Sequence, residues 1–415
     1  MIDLTNQMIY RIGNLDVENE RISYQMSTGK VLEKGSDDSV LYGKYLGVEN
    51  SLRTYEGLEK QIEKTTAQNN VSDSTVNEMK LTLDSMKVDL LKSLNSGMTR
   101  PDRLAVASNF EGMRENLLTL ANTTVDGEYL FSGSNTTKET FTKNDDFKIN
   151  GQVEFGGNAH LRNVAVDPGV YRQRGVTAHD VLMYNTDTTA EDNTITFSKN
   201  DKVIDSFGNT WIFIDNDDAD GDSDISTGID TDKLYRMKED GTASKDFVTV
   251  TSDGNDPAVY TSEDVTTASN LSHNTQSGLL LETKHNIFEE LNIIINALKG
   301  YDTVKTDGAT NGEKGPKISD DAVRDILSTS LGKITEQYDA TNIGHAELGG
   351  RNKIFETALS SINTKVTHFN ILMQETNGVD MAKLAMESKA LEMTYNALYS
   401  TVSKMHQLSL VNFIK

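Results

Sequence analysis

The chain has no cysteine, four prolines, one tryptophan and 40 basic against 63 acidic side chains in 415 residues. Without cysteine it can form no disulfide, no thiolate metal site and no cysteine nucleophile. A formal charge of −23 argues against nucleic acid as a partner, because phosphate binding needs a basic face. An anionic membrane surface would repel it for the same reason. The most apolar stretch, around Ile293, Ile294 and Ile295, is far shorter than the ~20 residues a membrane-spanning helix needs. The opening Met-Ile-Asp-Leu-Thr has neither the basic nor the apolar region of a secretory signal, so no cleaved signal peptide is expected. Hydrophobic residues make up 36%, which is low for one compact globule and suits thin or helical layers.

The scarce prolines map the chain. They stand at Pro101, Pro168, Pro257 and Pro316, leaving residues 1–100 and 317–415 free of a residue that costs about 3 kcal/mol inside a helix. Val48, Tyr55, Ile62, Asn69, Val76, Leu83 and Leu90 recur every seven residues, with Met79 and Met86 completing a 3–4 alternation. That repeat predicts one long supercoiling helix over about residues 40–96, capped by Ser36-Asp37-Asp38 and stopped at Gly97. Thr99-Arg100-Pro101-Asp102 predicts the next helix start, with a stripe of Val106, Phe110, Met113, Leu117 and Leu120. Phe355, Leu359, Ile362, Val366, Phe369 and Met373 form a similar stripe in the other flank, and Leu280, Ile287, Leu291, Ile294 and Leu298 another. Such helices pack as an antiparallel bundle.

The two ends carry seams of their own. Met8, Leu15 and Ile22 recur at seven, flanked by Ile12 and Met26. Leu384, Leu391, Leu398 and Met405 do the same, flanked by Tyr395, Val402 and Leu408. The two segments suit one another as partners. Paired only with each other, they would leave much apolar area open, which neighbouring copies in an assembly could cover. These twelve residues are therefore the expected assembly interface.

The middle differs. Phe147 to Phe155 alternates apolar and polar residues around Asn150-Gly151, a hairpin signal, and Thr194–Ser198, Trp211–Ile214 and Phe247–Thr251 read as strands. Residues 180–270 hold 21 acidic and 6 basic side chains, a net −15 of the −23. The expected fold is mainly α with an inserted β domain: an antiparallel helical rod built from both chain ends, with a β-rich outer insert. Segments 1–38 and 380–415 would form a terminal helix pair, 39–135 and 271–379 the rod, and 136–270 the acidic outer domain.

Chemical signals are sparse. Asn216, Asp218 and Asp220 with Gly221 and Asp224 match positions 1, 3, 5, 6 and 9 of a calcium loop. Position 12 is Thr227 instead of the bidentate glutamate, so a solvated acidic turn is the expectation and no cofactor is assigned. Ser27-Thr-Gly-Lys30 lacks the companion motifs of the Ser-x-x-Lys hydrolases, no phosphate loop or His-Glu-x-x-His occurs, and the seven histidines show no metal spacing. No enzyme is expected.

Three segments carry a family resemblance. Gln25-Met-Ser-Thr-Gly-Lys-Val-Leu-Glu-Lys-Gly-Ser36-Asp37-Asp38 is similar to the end of the first helix in the flagellin superfamily. Leu117-Leu-Thr-Leu-Ala-Asn122-Thr-Thr-Val-Asp126-Gly127-Glu-Tyr129-Leu-Phe131-Ser-Gly133 resembles the hook-associated junction proteins of that superfamily. Val379-Asp380-Met-Ala-Lys-Leu-Ala and the tail Leu408-Ser-Leu-Val-Asn412-Phe-Ile resemble its C-terminus. The resemblance covers roughly residues 1–135 and 340–415. It implies an extracellular structural protein, exported through the flagellar type III channel with an export chaperone and without a cleaved signal. Such a protein polymerises as a ring between hook and filament, beside the other junction protein and flagellin. A flagellin subunit, or a calcium-dependent adhesin on a coiled-coil stalk, are the alternatives.

Overall fold

The computed structural model describes residues 2–95, 98–143, 153–189, 193–198, 201–214, 233–238, 242–253, 259–302 and 316–413. The fold is mainly α with an inserted β region. Its principal helices are α1 (Ile2–Thr28), α2 (Ser39–Ser93), α3 (Arg100–Ala121), α4 (Ile287–Lys299), α5 (Asp320–Asn377) and α6 (Met381–Phe413). All the described strands lie between α3 and α4.

The heptad prediction for α2 holds. Ile62, Asn69, Val76, Met79, Leu83, Met86 and Leu90 are all fully buried. Asp38 starts this helix by accepting the backbone N–H groups of Val40 and Leu41, each at 3.0 Å. The helix ends at Ser93, and the expected stop at Gly97 lies outside the described residues. At the start of α3, Thr99 donates its backbone N–H to Asp102 at 3.1 Å, with Pro101 in the first turn.

Two helical stripes differ from expectation. On α3 the buried face is Ala107, Phe110, Arg114, Leu117, Leu118 and Ala121, with Val106, Met113 and Leu120 at its margin. The rotation follows from Arg114, which is buried and donates to Asn292 Oδ1 of α4 at 3.2 Å, so the face includes a position that reads as polar. Leu280 lies outside α4, because Leu281–Asn286 is a strand and Asn286 caps the helix by accepting the Phe288 N–H at 2.8 Å.

Contacts divide the chain into two compact units. The first comprises Met1–Gln61, Asp167–Gly169 and Ala358–Lys415. Within it, the break between α1 and α2 is bonded to the break between α5 and α6. Val31 N donates to Asn377 O at 2.9 Å, Leu32 N to Asn377 Oδ1 at 2.8 Å, and Val379 N to Gly29 O at 3.1 Å. Gly29 has a positive φ of 67°, the left-handed turn that lets α1 stop there. Further along this unit Tyr55 stacks on Phe369 at 5.4 Å, and Lys365 Nζ stands 4.9 Å from the Tyr55 ring.

The second unit comprises Ile62–Val166 and Val170–Thr357. Its main core joins α2, α3, α4 and α5 through Met79, Leu83, Phe110, Leu117, Phe288, Leu291, Leu327 and Ile334. Within this unit α2 and α5 are antiparallel, since Lys80, Asp73 and Asn70 meet Asn342, His345 and Asn352 in turn. The face of α5 toward the Ala178–Val181 turn is partly polar. Gln337 Nε2 and Thr341 Oγ1 both donate to the Val181 carbonyl, at 2.9 and 2.8 Å. Gly344 sits so close that a Cβ there would come within 2.8 Å of Val181 Cγ1.

The segment from Asn122 to Gly133 has a physical explanation here. β1 (Thr124–Val125) and β2 (Glu128–Tyr129) form a hairpin whose turn residues Asp126 and Gly127 both have positive φ, 54° and 76°. Asn122 bonds both backbone groups of Phe141, donating to its oxygen at 2.8 Å and accepting its N–H at 2.9 Å. Gly133 has φ 72°, and a Cβ there would meet Asn158 O at 2.2 Å. Glu128 receives Lys64 Nζ at 3.1 Å, Gln68 Nε2 at 3.2 Å, Arg162 Nη1 at 2.5 Å and Arg174 Nη2 at 3.3 Å. Burial alone would raise its pKa. Hydrogen bonds from Lys64, Arg162 and Gln68 outweigh that and bring it to about 2.

Of the segment expected as a hairpin around Asn150-Gly151, the structure describes β4 (Val153–Phe155), which runs beside β3 (Phe141–Lys143) with Phe141 opposite Phe155. Residues 147–150, expected as the partner strand, lie outside the described residues. β5 (Asn163–Asp167) and β6 (Val170–Gln173) make a further two-stranded sheet. Eight strands then form one antiparallel sheet, in the order β7, β14, β9, β10, β11, β12, β13, β8. In chain order these are Met183–Thr188, Thr196–Ser198, Lys202–Asp205, Thr210–Ile214, Lys233–Met237, Ala243–Ser252, Val259–Ser262 and Leu281–Asn286, numbered β7 to β14. The end strands β7 and β8 meet through Asp187, whose Oδ2 accepts both N–H and Oγ1–H of Thr196, each at 2.6 Å. Phe197, Val203, Trp211, Leu234, Val248 and Leu281 fill the sheet's own core.

Candidate assembly surface

The terminal helices α1 and α6 pair within the first unit. Ile22, Leu384 and Leu391 form a small buried core, with Leu15, Val379 and Tyr395 packed against it. Seven-residue spacing keeps Leu15 and Ile22, or Leu384 and Leu391, on one helix face. Polar bonds fix the register: Arg21 Nη2 reaches Glu387 Oε2 at 3.2 Å, and the Tyr395 hydroxyl donates to Asp16 Oδ1 at 2.5 Å. The bond to Asp16 pushes the Tyr395 hydroxyl up to about 12. An open groove of about 510 Å³ runs along the pair, lined by Leu15, Ile22, Leu391 and Leu398 among others.

The expected interface residues are thus distributed. Ile22, Leu384 and Leu391 are covered by their own chain; Ile12, Leu15, Tyr395, Leu398 and Val402 are half-buried; Met26 is exposed. The side chains of Met8, Met405 and Leu408 lie outside the described residues. A second stripe was missed by sequence reasoning. Tyr10 and Val17 on α1 are 71% and 67% exposed, and Met386 and Met393 on α6 are 67% and 62% exposed. Each pair is seven residues apart and stands two residues beyond a seam residue, ~200° round the helix. Both terminal helices therefore have one apolar face closed against each other and one facing out.

Among the described residues no group of three or more His, Asp or Glu could hold a metal ion. The calcium-loop residues Asn216, Asp218, Asp220 and Asp224 lie outside them. No described helix is long and apolar enough to cross a membrane.

Comparison with known proteins gives this surface a context. The family model of the bacterial flagellin N-terminal helical region matches residues 4–136, which take in α1, α2 and α3. The chain is also 28% identical over 147 residues to flagellar hook-associated protein 3 of Escherichia coli, covering 34% of this chain and 46% of that one. The protein of the same name from Salmonella typhimurium is 27% identical over 146 residues, covering 33% and 45%. The match thus spans about half the length of these curated relatives. A putative flagellar hook-associated protein from Vibrio parahaemolyticus aligns over 82% of this chain and all of its own, with 13% identity and a TM-score of 0.48. The resemblance read from Gln25–Asp38 and Asn122–Gly133 falls inside the matched N-terminal region. Both curated relatives carry the name of a flagellar hook-associated protein.

Proposed function

We propose that this chain is a structural protein of the bacterial flagellum that polymerises through its terminal helices as the adaptor between hook and filament. One observation carries the reading: α1 and α6 close one apolar face on each other and leave Tyr10, Val17, Met386 and Met393 exposed. The flagellin-type N-terminal region and the names of the curated relatives support it. Burying the second stripe between copies makes apolar burial and polymerisation one event, at about 25 cal/mol per Å² removed from water. The partners are other copies in a ring, the second junction protein and flagellin. The route is the flagellar type III channel with its export chaperone, and the location is outside the cell. The Met386→Asp, Met393→Asp double variant tests this. It should keep the α1–α6 pair, because Leu384 and Leu391 are untouched, yet fail to restore swimming to a deletion strain, with unassembled flagellin in the medium. A double variant that swims normally would remove the stripe from the assembly surface. Wild-type protein found all along sheared filaments would replace the adaptor with a filament subunit.

A further inference from the structure

Where β14 hands over to α4, His285 is enclosed by two carboxylates. Its Nδ1 lies 2.6 Å from Asp201 Oδ1, and its Nε2 lies 3.8 Å from Glu289 Oε2. The three side chains are 18%, 7% and 18% exposed. Asp201 stands one residue before β9, and its other oxygen accepts the backbone N–H of Ser198, at the end of β8, at 2.7 Å. Glu289 belongs to the first turn of α4. One imidazole therefore ties β14, which pairs with β7 and β9, to the β8–β9 connection and to a helix of the main core.

Among the described residues no other cation lies within 4 Å of either carboxylate's facing oxygen. Tyr184 of β7 sets its ring edge-on to His285 at 5.7 Å. Glu290 of α4 is engaged by Ser330 and Lys333 of α5, at 2.5 and 3.0 Å, and Glu336 of α5 acts on Tyr184. Lys284 donates to the His179 carbonyl at 3.1 Å, and Lys202 of β9 acts on Glu289 from farther off. A ring placed between two carboxylates attracts both while it is imidazolium and loses that attraction when it is neutral.

We propose that His285 is a proton-operated latch: as imidazolium it clamps the β9–β14 part of the sheet to α4, and on losing its proton it leaves Asp201 and Glu289 repelling each other across a neutral ring. The electrostatics agree. Burial would lower the His285 pKa, but the bond to Asp201 and the charges of Asp201, Glu289 and Glu290 outweigh it and hold the ring above its usual 6.5. A raised histidine pKa gives a contribution that is complete below the unfolded-state value and is lost as pH rises through the folded-state value. The latch is therefore closed in mild acid and opens toward alkaline pH.

Hydrogen exchange on the full chain between pH 6 and pH 9 tests it, with protection factors corrected for intrinsic exchange. Protection of the β9 and β14 amides should fall as pH rises, by about tenfold for each unit separating the closed-state and open-state pKa. His285→Gln should flatten that dependence. His345→Gln, at the separate pair with Asp73, should retain it. Flat protection in the native protein, or the same slope in His285→Gln, overturns the latch. A ring titration of His285 in the native protein decides independently of whether the variant folds: a midpoint above 6.5 supports the latch, and one at or below it sinks the proposal.

Discussion

Trp211 donates its indole N–H to Asp205 Oδ2 at 3.0 Å, tying the one tryptophan of the chain to the turn that precedes it. The other oxygen of Asp205 accepts the backbone N–H groups of Phe207 and Asn209 at 3.0 and 2.8 Å. One buried carboxylate thus closes the β9–β10 turn and orients the largest side chain of the sheet core.

Because Trp211 is 2% exposed, its emission should be blue-shifted and poorly quenched by iodide in the native protein. Asp205→Ala leaves the indole and two turn amides without their acceptor, and should cost roughly 3 kcal/mol. Urea unfolding followed by tryptophan emission measures this, and an unchanged midpoint would contradict it.

Glu128 should matter at neutral pH and not in acid. Its pKa is depressed from 4.5 to about 2, so its contribution is present above 4.5 and is lost as pH falls toward 2. Glu128→Gln should cost about 2 kcal/mol at pH 7, once the partial exposure of the carboxylate is allowed for. Melting curves of the two proteins should draw together as pH falls from 4.5 toward about 2.

Gly344 and Gly349 lie five residues apart on α5 and should respond oppositely to alanine. A Cβ at Gly344 would stand 2.8 Å from Val181 Cγ1 and 3.2 Å from Asp180 O, whereas nothing lies within 4 Å of one at Gly349. Valine is stiff and this one is fully buried, so Gly344→Ala should destabilise by about 1–3 kcal/mol. Gly349→Ala should stabilise by up to about 1 kcal/mol through helix propensity. Paired thermal melts read the difference in sign.

Leu391→Asp should part α1 from α6, because Leu391 is 8% exposed against Ile22 and Leu384 of its own chain. A carboxylate there costs several kcal/mol unless it protonates. Limited proteolysis should cut α1 faster in this variant than in Met386→Asp. Equal cutting rates would mean that the pair does not depend on this seam.

The long helices were legible because their cores repeat: Ile62 to Leu90 on α2 and Phe355 and Ile362 on α5 stand where a seven-residue period puts them. The Thr99 and Asp38 helix starts were legible because capping is local chemistry. The burial of Arg114 on α3 was not, since its partner Asn292 is 178 residues away. The Glu128 network was hidden for the same reason. Its members Lys64, Gln68, Arg162 and Arg174 read singly as surface residues. The β5–β6 hairpin did leave a signal in Pro168-Gly169, with Gly169 at φ 75°, and the dipeptide alone could have placed it. The second terminal stripe was also written in the sequence. Tyr10 and Val17 follow Met8 and Leu15 by two residues, so a search for one apolar face passes over the other.

The bond between Asp187 and Thr196 bears on how copies of this chain behave when crowded together. A sheet recruits foreign strands through backbone groups left unpaired at its margins, and those margins are where ordered aggregates begin. Here the outermost strands lie against each other, and a side chain occupies the Thr196 N–H that would otherwise face outward. The insert can therefore be presented at high local concentration without knitting one copy to the next. In the assembly proposed above, contacts between copies would then fall to the helices and not to this margin of the sheet.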